Sequence, residues 1–143
     1  MRIAVAAVVL AWLAALSIYD ITQRRLPNTL TVPGAGVIVV GAVAAGRGPT
    51  ALAGAAALTT VYLLVHLVAP TGLGAGDVKL ALGLGALTGC FGADVWFLAA
   101  LGAPLLTAAT AVVAALRRSG PTVPHGPSMC LASVAAVGLT QLP

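Results

Sequence analysis

Six apolar runs separated by short polar turns take up most of this chain, and that succession leaves few folds open to it. A bilayer-crossing helix needs about 20 mostly apolar residues, within a range of about 17–25. The runs are read as Ile3 to Tyr19, Leu30 to Gly46, Ala51 to Ala69, Val78 to about Gly92, Asp94 to Leu116, and Pro127 to Leu142. The fourth is short and carries Gly83, Gly85 and Gly89. It can either span while packed against other helices or dip in and return, and the span is the reading adopted. The expected fold is all-α: a polytopic membrane protein of about six transmembrane helices, forming one domain over residues 1–143.

Composition supports this reading. Of 143 residues, 60% are hydrophobic and 7% charged, whereas soluble domains carry roughly 25% charged residues. The bulk is Ala, Leu, Val and Gly, which suits close helix packing in lipid. A net charge of +4 would hint at nucleic acid in a soluble protein. Here the basic residues lie between apolar runs and read as topology signals. Scarce aromatics argue against base-stacking platforms, so no nucleic-acid partner is expected. Cys90 and Cys130 are isolated and read as small buried apolar residues; no metal site and no cofactor are expected. Arg2 followed by an apolar core and Ala15-Leu16-Ser17 could be a secretory signal, but the further spans favour a resident helix.

The turns set the sidedness. Asp20 to Asn28 contains adjacent arginines and the helix-breaking Pro27. Asn28 or Thr29 is available to cap the second helix, with Pro33 in its first turn. Arg47-Gly48-Pro49, Pro70 to Gly74, and Arg117 to Pro121 form the next turns, and Pro104 is expected to kink the fifth helix. Arg24, Arg25, Lys79, Arg117 and Arg118 fall on one side, and Arg2 and Arg47 on the other. The positive-inside rule makes the first set cytosolic and both termini external. Two spans separate Asp20 from Asp77, so these two acids share the cytosolic side whatever the fourth run does.

Only three acidic residues occur in the chain. Asp94 reads as a helix N-cap. Asp20 and Asp77 sit at the edges of apolar runs, where a carboxylate is costly and usually functional. Two carboxyls in close approach share a proton and titrate as a pair. One can take a proton from water while the other hydrogen-bonds a scissile carbonyl, which is peptide hydrolysis without a metal. Gly74 and Gly76 free the backbone and clear space beside Asp77 for an extended substrate. The rival reading makes Asp77 a mere N-cap and Asp20 a solvated interfacial residue. A metalloprotease would need H-E-x-x-H, yet there is no glutamate, and the histidines are His66 and His125. Ser128 lacks a well-placed base.

The segments Tyr19-Asp20-Ile21-Thr22-Gln23-Arg24-Arg25-Leu26-Pro27-Asn28 and Gly74-Ala75-Gly76-Asp77-Val78-Lys79-Leu80 resemble the two signature motifs of the type IV prepilin peptidases. These are GxGD aspartic proteases, a group that includes the preflagellin peptidases. Pro124-His125-Gly126-Pro127 resembles the family's late Pro-x-Gly-Pro element, so the resemblance covers essentially the whole chain. It implies that Asp20 and Asp77 are the catalytic aspartates. It also implies prepilin-like precursors as substrates, cut at the cytosolic face of the cell (inner) membrane to remove a short basic leader. Presenilin-type proteases share Tyr-Asp and GxGD elements, but there the two lie on adjacent helices. The paired C-x-x-C motifs of the larger members are missing. The chain therefore resembles the short tight-adherence-type peptidases, and no methyltransferase activity is expected. His125 occupies a position that is often aromatic in the family.

Other residues are weighed less heavily. Pro27, Asn28, Gly74, Gly76, Lys79 and His125 are candidates for substrate positioning. For Lys79 the plainer reading is a headgroup anchor, for Arg24 and Arg25 a topology signal, and for His66 a hydrogen-bonded packing residue. The alternative function is a small transporter or channel subunit using the two acids to bind a cation or proton. A third reading is a non-catalytic membrane scaffold. Whether the chain assembles with copies of itself is left open.

Overall fold

A computed structural model describes residues 2–118, 120 and 122–141, with Arg2 described in its backbone only. Six helices follow one another: α1 (Arg2–Gln23), α2 (Asn28–Ala44), α3 (Gly48–Val68), α4 (Ala75–Gly89), α5 (Ala93–Leu116) and α6 (Gly126–Leu139). By length and composition, α1 from Ile3, α3 and α5 can each cross a membrane; α2 and α6 are shorter apolar helices. Their outward faces carry exposed large apolar side chains such as Val37, Leu67, Leu101 and Leu105. Such a surface suits lipid and not water. The protein is a polytopic all-α membrane protein.

A short helix holds the centre. α4 has 15 residues, roughly 22 Å at 1.5 Å per residue, and it packs against α2, α3, α5 and α6. Nine of its residues are buried, including Leu80, Leu84 and Thr88. Its glycines explain how a helix can be enclosed on so many sides. A Cβ on Gly85 would stand 2.4 Å from the Gly54 carbonyl oxygen, and one on Gly89 would stand 2.6 Å from that of Thr50. Backbone meets backbone between α3 and α4, the small-residue packing that substitutes for hydrophobic drive inside lipid. The Trp96 indole N–H donates to the Gly54 carbonyl at 3.0 Å and ties α5 to the same crossing.

Several helix ends differ from the sequence reading. α1 continues through Asp20 to Gln23 and stops at Arg24, whose φ of 51° turns the chain out of the helix. The Arg24 N–H bonds the Asp20 carbonyl at 3.0 Å as the last turn closes. Asp20 is therefore a residue of the final turn and not of the loop. Pro27, not Asn28 or Thr29, is the N-cap of α2. Gly74 is the N-cap of α4 and places Asp77 at its third position; Gly92, not Asp94, precedes α5. Both Pro33 and Pro104 lie inside helices that continue past them. Of the turn expected over 117–121, Ser119 and Pro121 lie outside the described residues, as does Leu142.

Up-and-down threading puts the end of α1 beside the starts of α2, α4 and α6. Lys79 Nζ donates to Asn28 Oδ1 at 2.8 Å, and Arg24 hydrogen-bonds the Thr122 hydroxyl. At the opposite end Arg47 donates to the Cys90 carbonyl at 3.1 Å and stands over the Phe91 ring.

Candidate active site

Asp20 and Asp77 line one cavity of about 600 Å³ at the first of these ends. Asp20 comes from the last turn of α1 and Asp77 from the first turn of α4. No α-carbon of α1 lies within 8 Å of one in α4. The acids therefore address each other across the cavity through their side chains, near enough for the charge of one to act on the other. Both are about nine-tenths buried, at 8% and 9% exposure, yet both border open volume. That combination is what a reacting acid needs: fixed by packing, reachable by water and substrate.

Each carboxyl is gripped through one oxygen by a backbone N–H. Asp77 Oδ2 accepts from Gly74 N–H at 3.2 Å, the N3-to-N-cap half of a capping box. Asp20 Oδ2 accepts from Gly126 N–H at 2.9 Å, at the first residue of α6. Two helix N-termini thus converge on the pair, and their partial positive charge favours carboxylate there. Asp77 does not cap its own helix; its side chain reaches back to the residue that does.

Beyond the acids, the cavity wall holds Pro27, Asn28, Gly74, Gly76 and Lys79. The Lys79–Asn28 hydrogen bond bridges two of its sides. His125 is not among the lining residues. It stands behind Asp20, with Nε2 3.0 Å from the Tyr62 hydroxyl and Nδ1 2.6 Å from that of Thr107. Burial pushes its pKa below the ordinary imidazole value, and the Asp20 charge opposes that only in part. His66 bonds the Leu73 carbonyl through Nδ1 at 2.6 Å and holds the α3–α4 connection onto α3.

Sequence reasoning missed Gly126, Tyr62 and Thr107, and read Arg24 and Arg25 only as topology signals although both line the cavity. Gly126 was visible as the third residue of Pro124-His125-Gly126-Pro127. A Cβ there would fall 2.6 Å from Asp20 Oδ2, so any larger residue would displace the carboxyl or the start of α6. Among the described residues, no three His, Cys, Asp or Glu side chains gather into a metal-binding group.

A family model described as the type IV leader peptidase family matches residues 7–137, nearly the whole chain. No curated protein and no solved structure gives a match.

Proposed function

The chain belongs to the type IV leader peptidase family, and from that premise we propose that it is an aspartic endopeptidase with Asp20 and Asp77 as its dyad. The observation that carries this reading is the shared cavity, into which α1 and α4 each bring one buried carboxyl held by a backbone N–H. The substrate is a prepilin-like precursor, cut between a short basic leader and its hydrophobic helix. The cavity end carries Arg24, Arg25, Lys79, Arg117 and Arg118, so the active face is cytosolic, in the inner membrane.

The chemistry follows from two carboxyls with one proton between them. The ionised acid takes a proton from water as the water oxygen attacks the scissile carbonyl carbon. The protonated acid gives its proton to the carbonyl oxygen, and a neutral diol results. Collapse then breaks the C–N bond: the first acid passes its proton to the leaving nitrogen, and the second recovers one from a diol hydroxyl. Both acids end as they began, and one water has been consumed.

A cation-binding transporter would set its acids near mid-membrane. Asp20 and Asp77 instead occupy the ends of their helices, which favours the protease. The test is Asp20→Asn and Asp77→Asn, each co-expressed with a precursor. Each is expected to insert normally and to leave the precursor uncut. Near wild-type processing by either variant sinks the dyad.

A further inference from the structure

His125 is a buried imidazole that the hydrolysis does not consume, set one residue before the N–H that grips Asp20. One tautomer satisfies all of the partners around it. With the Thr107 hydroxyl donating to the Ala103 carbonyl at 3.1 Å, it accepts from His125. Nδ1 then carries the imidazole proton, and Nε2 accepts from the Tyr62 hydroxyl. One hydrogen bond comes from α3 and the other from α5, and together they clamp the residue that caps α6. Burial favours the neutral imidazole, in keeping with that arrangement. The His125 carbonyl meanwhile accepts from Met129 N–H at 3.1 Å and opens the first turn of α6.

The next residue has no slack. Gly126 N–H stands 2.9 Å from Asp20 Oδ2, with no space for a Cβ. Any shift of the start of α6 changes that bond, and the bond stabilises the charged form of Asp20 over the neutral one.

We propose that His125 is a positioning residue: clamped by Tyr62 and Thr107, it sets the start of α6 so that Gly126 N–H holds the Asp20 carboxyl in place for the reaction. This rests on the dyad reading above and adds a residue that acts on the pair through the grip on Asp20. The titratable and charged groups around the pair are Tyr62 from α3, Lys79 from α4, His125 and Cys130 from the start of α6, and Arg24 and Arg25 from the end of α1. α2 contributes no titratable side chain, and the only acid of α5, Asp94, lies at the far end.

The experiment uses Thr107→Val, Tyr62→Phe and His125→Leu in the full chain in nanodiscs, with Thr107→Ser to restore the hydroxyl. For Thr107→Val and Tyr62→Phe the expected result is a fall in kcat of roughly fivefold, the scale of one hydrogen bond, with KM changed less. The acidic limb of the kcat profile, which belongs to the pair, should move toward neutral pH, because a weaker hydrogen bond to the carboxylate favours the doubly protonated dyad. Thr107→Ser should restore both. If His125→Leu does not fold, the two smaller changes carry the test. Wild-type kcat and an unmoved limb in both would overturn the proposal. So would lower kcat matched by lower thermal stability with the limb in place, the mark of a purely structural residue. Activity in Asp20→Asn or Asp77→Asn would instead overturn the dyad itself.

Discussion

Gly126 follows Asp20 by 106 positions, yet its N–H meets Asp20 Oδ2 at 2.9 Å. Asp77 gets its equivalent bond from Gly74, three residues away on the same turn. The two acids are thus held in different ways. Asp77 inherits its geometry from a local helix start and keeps it as long as α4 begins at Ala75. Asp20 depends on how α1 packs on α6, so changes well away from the cavity can reach it.

Gly126→Ala tests that dependence directly. The new methyl would stand 2.6 Å from Asp20 Oδ2 and 3.1 Å from its carboxyl carbon, so the acid or the helix must give way. A misplacement near 1 Å costs about 100-fold in a positioned reaction. The expected outcome is a loss of about that size in kcat with the protein still folded in detergent. Full activity would mean that the Gly126 contact does not matter to the chemistry.

How much of this was legible in the sequence follows from which forces are local. Apolar runs and the placement of seven basic residues give the helix order and put Asp20 and Asp77 at one end, because hydropathy and charge act segment by segment. Helix ends were less legible. Arg24 at φ 51° ends α1, and nothing in an arginine announces a left-handed backbone. The Gly126 donor and the His125 clamp are tertiary: each depends on helices that meet only after the bundle closes. Thr107 lies inside the apolar run of the fifth helix, where nothing in the sequence marks it as a partner for His125.

Gly85→Ala is expected to destabilise the bundle. Its Cβ would lie 2.4 Å from the Gly54 carbonyl oxygen and 3.0 Å from the Ala55 α-carbon, backbone atoms that cannot rotate aside. Overpacking of this kind costs about 1–3 kcal/mol. Gly41→Ala, where a Cβ meets nothing within 4 Å, is the matched control. Thermal melts in detergent should show a clear drop for the first and none for the second; equal melting would refute the tight α3–α4 crossing.

Orientation is checked by reporter fusions. Fusions after Arg25, Gly74 and Arg118 should report cytosol, and those after Arg47 and Asp94 the exterior, as the five-to-two division of basic residues implies. The reverse pattern would put the cavity on the face that a leader peptidase cannot use.

The rate should be bell-shaped in pH. Cleavage by a shared-proton pair requires one acid ionised and one protonated, so activity falls when both are protonated and again when both are charged. A second process acts on the acid side and has to be separated from the first. His125 is held neutral by burial, its pKa below the ordinary value, so between its folded pKa and the unfolded value near 6.5 the unfolded chain binds the extra proton and the folded one does not. Its stabilising contribution is therefore complete above about pH 6.5 and is lost as pH falls through that window. The measurement is kcat/KM against pH in nanodiscs, with thermal stability followed over the same range. Stability should decline below about pH 6.5, while initial rates on still-folded enzyme trace the bell. A flat rate profile between about pH 5 and about pH 9 would remove the shared proton and the dyad chemistry with it.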